Sequence, residues 1–203
     1  GQMPLKFFIK FFQNHGLFKF KKRPQWFTVK NRSRTYVNKI LEKISGEYFK
    51  NYNINKVERK TDGVRVFYGE DNEFFDYDKV VFATHADQTI SIIKNPTDEE
   101  KNLLTKFNYK KNIALIHTDE KVMPSNKKAW SSWNSSINSN NLKESSITYW
   151  LNLLQNLNVR KNIFLTLNPF FQVDKDKIIK KIEFTHPYYN HEALSLSLIH
   201  ISE

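Results

Sequence analysis

The sequence predicts a mixed α/β (α+β) fold, and three stretches predict it. Residues 54–77 read as a β-meander: Val64 and Val66 alternate with Arg65, and Gly69-Glu70-Asp71-Asn72 supplies turn chemistry. Val80-Val81-Phe82-Ala83 is an unbroken apolar run between polar flanks, the pattern of a parallel strand buried on both faces beneath helices. From Ile113 onward, apolar stretches recur at short intervals joined by loops rather than helices, which predicts an antiparallel sheet.

The elements follow in order. Phe7, Phe8, Phe11 and Phe12 recur at helical spacing, so a helix leads into a turn at Asn14-His15-Gly16, its phenylalanines packing in the core. Ser33 can cap a second helix whose stripe is Tyr36, Val37, Ile40, Leu41 and Ile44, with Gly46 placed as its terminator. Ile54-Asn55-Lys56-Val57 begins the meander. The run Val80–Ala83 ends in Thr84-His85, where a ligand can approach the carboxyl end of a strand; a helix capped by Asp87 follows. Asn95-Pro96-Thr97-Asp98 marks a boundary, and Thr97 with Glu100 predicts a capping box for a helix through Leu104. Strands are then expected at Ile113–His117, Ala129–Trp133, Ser146–Trp150 and Ile163–Leu167, with a polar loop at Ser135–Lys143. A helix from about Lys175 and a strand around Ile182–Thr185 complete the chain.

Composition narrows the function classes. At 203 residues, 39% hydrophobic and 15% aromatic with 17 Phe, the chain can build a packed interior, which excludes disorder. No apolar run approaches the ~20 residues that span a bilayer, and Lys6 and Lys10 interrupt the opening LKFFIKFF. No secretory signal is evident. The absence of cysteine excludes disulfides, thiolate catalysis and sulfur-based zinc sites, and fits a cytoplasmic protein. The net charge of +11 raises nucleic-acid binding, but Lys and Arg run along the chain among 21 acidic residues, with one dense cluster at Lys19-Phe20-Lys21-Lys22-Arg23. Nucleic acid is therefore not the expected partner. His15, His85, His117, His186 and His191 lie too far apart to read as a metal site. No Gly-x-Ser-x-Gly elbow is present, and no carboxylate pair can be assigned to glycoside chemistry.

Five motifs, Asn14-His15-Gly16, Arg23-Pro24-Gln25-Trp26, Ala83-Thr84-His85-Ala86-Asp87-Gln88, Ala129-Trp130-Ser131-Ser132-Trp133-Asn134 and Thr148-Tyr149-Trp150, resemble a single bacterial family. It is the family of amine-oxidase-type FAD/NAD-binding oxidoreductases often encoded beside cyclopropane-fatty-acid synthases, and the likeness runs from about Met3 to about Ala193. The resemblance implies a substrate-side helical segment at 1–30, part of a two-dinucleotide-binding FAD domain at 31–95, and an antiparallel-sheet substrate domain at 96–193. It implies non-covalent FAD in the full-length protein, with Ile54 and Val57 meeting the adenine end. Ala83 would permit close approach, Thr84 would offer its hydroxyl or backbone N–H near the ribose and pyrophosphate, and His85 would complete the cofactor-binding stretch. Trp130, Trp133, Tyr149 and Trp150 would line an apolar cavity over the flavin, with Asn134 or Asn152 as polar handles; alternation on a strand lets only half of them face one side, the rest packing in the core or against the FAD domain. Family members carry Gly-Gly before the Ser33 position; here Asn31-Arg32 stand instead, Asn tolerating unusual backbone angles while Arg32 has a side chain to place.

The family's glycine-rich phosphate loop lies upstream of the matched region, and no Gly-x-Gly-x-x-Gly occurs here, so an internal fragment is expected. Leu194–Glu203 departs from the family pattern and reads as a non-native tail. The resemblance further implies hydride abstraction from a small-molecule or fatty-acyl substrate, with the cofactor carrying the chemistry and no catalytic side chain assigned. The alternative is a noncatalytic basic module that binds a lipid surface or nucleic acid. The resemblance also favours a membrane-peripheral contact of basic residues with anionic headgroups over nucleic acid, and oligomeric state is left open.

Overall fold

A computed structural model describes residues 5–21, 24–25, 27–70, 73–188 and 190–196. Met3, the Lys22-Arg23 half of the basic cluster, Trp26, the Asp71-Asn72 half of the predicted turn and tail residues 197–203 lie outside the described residues. The architecture is mixed α/β with antiparallel sheets. The chain divides into two compact units, Gly1–Trp26 with Val37–Tyr109 and Pro187–Glu203, and Phe27–Tyr36 with Lys110–His186. The sequence boundary at 95/96 falls inside the first of these.

In the first unit, helix α1 (Leu5–Asn14) forms where the Phe spacing predicts it, but none of its residues is buried. Its rings pack on one another and on the following turn: Phe8 lies 4.2 Å from Phe12, and Phe12 5.4 Å from Phe18. The expectation that they fill a core is corrected. Gly16, with φ +64°, closes the helix; Leu17 N–H reaches the Phe12 carbonyl at 2.9 Å and Gly16 N–H the Gln13 carbonyl at 3.0 Å. These are the paired bonds that cap a helix through a left-handed residue. Helix α2 (Ser33–Leu41) stops five residues short of Gly46, its end tightened by Lys43 N–H to Ile40 and Ile44 N–H to Leu41 bonds, so Gly46 is not its terminator. Its apolar stripe is exposed rather than buried.

Strands β1 (Ile54–Lys60), β2 (Gly63–Tyr68) and β3 (Glu73–Tyr77) form the predicted meander, antiparallel in the order β1-β2-β3. Register places Val57, Val66 and Phe75 on one face, where Phe75 stacks on Tyr68 at 5.0 Å and on Phe49 at 5.2 Å. The opposite face holds Arg65 in two 2.7 Å bonds to Asp76. Gly63 is required at the hairpin: a Cβ there would collide with the Tyr77 carbonyl oxygen.

The predicted parallel strand at Val80–Ala83 is absent. The segment has no regular secondary structure and pairs with no strand among the described residues, and Val81 is 91% exposed. An apolar run becomes a buried strand only when neighbours ladder onto both edges and helices cover both faces. A parallel bridge forms instead at Ile93 with Val57, where Lys94 N–H donates to the Val57 carbonyl at 2.8 Å. Helix α3 (Ala86–Ile92) starts from His85, which makes no side-chain cap bond; Asp87 lies inside its first turn and is not the cap. Helix α4 (Asp98–Leu104) carries the full Thr97–Glu100 capping box. Among the described residues no helix is long and apolar enough to cross a membrane.

The second unit is built on a five-stranded sheet. Strand β4 (Asn108–His117) enters it; β5 (Trp133–Asn138) and β6 (Asn141–Trp150) form a hairpin; the short helix α5 (Leu151–Leu154) leads toward β7 (Phe164–Leu167) and β8 (Ile178–Tyr188). The order is β5-β6-β7-β4-β8, with β5-β6, β6-β7 and β4-β7 antiparallel. Helix α6 (His191–Leu196), in the first unit, runs into the stretch expected to be a tail. Of the strand expected at Ala129–Trp133, Ala129 closes a 3-10 turn (Lys127–Ala129) in which Asn126 accepts from Lys128 N–H, and only Trp133 lies in a strand, as the start of β5. The expected polar loop at 135–143 is the β5-β6 hairpin, Ser135 opposite Ile147 and Ile137 opposite Ser145. Ladder bonds are made by the backbone, so a Ser- and Asn-rich run can be a strand when a partner fixes its register. The helix expected from Lys175 shrinks to a 3-10 turn, Lys175–Lys177, before the β-branched start of β8.

Candidate functional site

At the end of the unpaired apolar segment the polar groups are already engaged. Thr84 and Thr89 hydroxyls are 2.7 Å apart, and Thr89 donates to the His85 carbonyl at 3.0 Å. The Thr89 proton being spent, Thr84 must be the donor between them, which leaves its oxygen as an acceptor. The His85 ring stacks on Tyr109 at 4.4 Å, and Tyr109 Oη accepts from Ala86 N–H at 2.7 Å. Val57 is buried with its carbonyl taken by Lys94, whereas Ile54 opens β1 opposite Tyr68.

The aromatic residues of the second unit divide between the two faces of the sheet. Trp133 pairs with Tyr149, and register adds Ile137, Ile147, Leu165 and Leu167 to the same face. That face is open: Trp133 is 56% and Ile137 62% exposed. Trp150 points to the other face, where it and Phe164 both meet Trp130, at 5.3 and 5.7 Å. Both indole N–H groups there are used, Trp130 on the Pro124 carbonyl and Trp150 on Asn162. Asn152 spends both ends of its amide on the Lys161 carbonyl and Ile163 N–H, and Asn134 ties Ser131 to Thr148. The four aromatic residues therefore do not line one cavity.

Behind the Trp130–Phe164 cluster lies a buried polar chain. His117 and Thr166 are fully buried, with His117 Nε2 2.8 Å from Thr166 Oγ1, which is 2.9 Å from Thr148 Oγ1. His117 Nδ1 accepts Asp119 N–H at 3.1 Å, so the ring is neutral with its proton on Nε2. Burial holds the His117 pKa below its ordinary value against the opposing pull of the Asp119 charge. Burial also pushes the Asp119 carboxyl up, but the Asp174 and Lys121 amides and Lys177 outweigh it and leave it below the usual carboxylate range. In sequence, His117 was one of several dispersed histidines; only the β4-β7 register reveals its partner.

A cleft of about 590 Å³ lies against Thr28–Arg32 and Gln155–Asn158. Three of its residues have left-handed backbones: Asn31 at φ 62°, Arg32 at 69° and Asn156 at 48°. Asn156 follows α5, where Leu157 N–H reaches back to the Asn152 carbonyl at 3.0 Å, so its conformation belongs to a helix cap. Asn31 is the third residue of a turn closed by Arg32 N–H to Val29 at 2.9 Å. Arg32 has neither reason, and a left-handed non-glycine residue costs about 1–2 kcal/mol. Arg32→Gly should recover that, less the roughly 0.5–1 kcal/mol of glycine's chain entropy. A urea melt should find the variant more stable, and Arg32→Val less stable than the parent.

No protein-family model matches the chain, and no curated protein matches it. Among solved structures, the CLA-producing fatty acid isomerase from P. acnes is similar at 12% identity and a TM-score of 0.47, over 78% of this chain. The chain spans 39% of the length of that protein.

Proposed function

We propose that the chain is part of an FAD-dependent oxidoreductase that acts on an acyl chain. One observation carries the reading: Asn31-Arg32, standing where the resembled family has Gly-Gly, holds two successive left-handed residues at the head of α2, beside a cleft. Arg32, whose conformation no turn or cap explains, carries strain of the kind that clusters at ligand clamps and switch regions. The cleft's size is within the range of small-molecule sites, and Lys30 and Arg32 supply cationic donors to an anionic ligand. The Thr84 hydroxyl, its proton given to Thr89, can accept from a ribose hydroxyl. The open face bearing Trp133, Tyr149, Ile137 and Ile147 offers an acyl chain an apolar surface to cover. When bound, flavin supplies hydride acceptance from a substrate C–H bond.

The whole protein, purified without added cofactor, should show flavin absorption that bleaches when a fatty acid is added without oxygen. A colourless preparation that takes up no FAD would overturn the reading. Salt-sensitive binding to an anionic polymer with no flavin spectrum would support the noncatalytic basic module instead.

A further inference from the structure

The charge of this chain is concentrated at one end. Residues 1–41 contain ten of the 32 Lys and Arg and none of the 21 Asp and Glu, while the rest of the chain is nearly neutral, with 22 basic residues against 21 acidic. The same stretch begins with a two-faced helix. Leu5, Phe8, Ile9 and Phe12 follow the i, i+3, i+4, i+7 spacing of one α1 face, and Lys6, Lys10 and Gln13 occupy the other.

No α1 residue is buried, and Leu5 is 71% exposed. Beyond the Gly16 cap the pattern continues without a helix, as Phe18 and Phe20 alternate with Lys19 and Lys21, and Phe20 is 94% exposed. We propose that α1 and residues 17–21 form an anchor that lies in the surface of an anionic lipid bilayer. This does not rest on the flavin reading.

The choice of occupant follows from charge and shape together. An apolar face flanked by lysines, with no carboxylate in the surrounding sequence, is matched by a bilayer surface: the acyl boundary takes Leu5, Phe8, Ile9 and Phe20, and the lipid phosphates take the ammonium groups. A nucleic acid would pair with the lysines and leave the aliphatic part of that face in water. At ten residues α1 is too short to span, so it would lie in the interfacial plane.

The chain has no cysteine, so Leu5→Cys creates a single labelling site for an environment-sensitive fluorophore. With vesicles of equal parts phosphatidylglycerol and phosphatidylcholine, the labelled full chain should shift its emission to the blue. Binding should be at least about tenfold weaker to phosphatidylcholine alone and should fall with added salt. Lys6→Gln with Lys10→Gln should weaken it about tenfold or more, and Phe20→Ser, at an exposed position that cannot disturb packing, should weaken it as well. An unshifted spectrum at low salt, equal binding to both vesicles, or unchanged binding by Phe20→Ser would overturn the proposal. So would binding of an RNA oligonucleotide that depends on Lys6 and Lys10 while the vesicles leave the spectrum unmoved.

Discussion

Phe164→Ala is expected to lower the stability of the second unit by about 3–5 kcal/mol, the range for emptying a filled aromatic site in a core. The residue is 0% exposed and opens the central strand β7, opposite His117 on one side and Trp150 on the other. Its ring is 5.6 Å from His117 and 5.7 Å from Trp130. These neighbours cannot readily collapse into the space. The Trp130 and Trp150 indoles are held by their N–H bonds to Pro124 and Asn162, and His117 is held at both ring nitrogens. Since a domain's whole stability is about 5–15 kcal/mol, the variant should sit near its unfolding threshold. Phe164→Leu, keeping most of the volume, should lose less, and urea midpoints for the two variants check the order. Equal small losses would mean that the cluster is not the centre of the unit.

The elements legible in the sequence are those whose cause lies within a few residues. The Thr97–Glu100 box is a local exchange of bonds at spacing three, and it forms as read. The β1–β3 meander follows from alternation and close turns. What failed depended on distant neighbours. Val80–Ala83 has the composition of a buried strand, but no described strand ladders onto it, so it forms no strand and Val81 stands exposed. Ser135–Asn138 has the composition of a loop, but β6 gives it a ladder and it becomes a strand. Among the candidate site residues, Trp130, Trp133, Tyr149 and Trp150 were grouped by the resemblance, and the strand alternation legible in the sequence sends Trp133 and Tyr149 to one face and Trp150 to the other. The left-handed Arg32 was legible only as a question, since a side chain stood where glycine was expected; the backbone angle answers it.

Acid should destabilise the protein through the polar chain behind Phe164. His117 is neutral in the fold because burial depresses its pKa, whereas in the unfolded chain it titrates near about 6.5. Below that pH the unfolded state binds a proton that the folded state resists. Stability is therefore complete above about 6.5 and falls as pH is lowered through it, by at most about 1.4 kcal/mol per pH unit for one group, until the folded ring itself takes the proton. Asp119 acts in a separate window: its folded pKa is lowered, so its contribution is present above about 3.9 and is lost only as pH falls below that. Urea midpoints measured from pH 7.5 to 5 should thus decline below about 6.5 in the parent. His117→Gln, whose amide can still donate toward Thr166, should flatten that decline, and an unchanged slope would assign it to another group. Thr166→Val tests the chain from the other end. It keeps the shape but strips the acceptor from His117 Nε2–H and a partner from Thr148, both in the dry interior, and should cost about 1–3 kcal/mol at pH 7.5. With its Nε2 proton unpartnered, the ring has no compensating acceptor in either charge state, so the acid decline should persist in Thr166→Val from a lower starting stability.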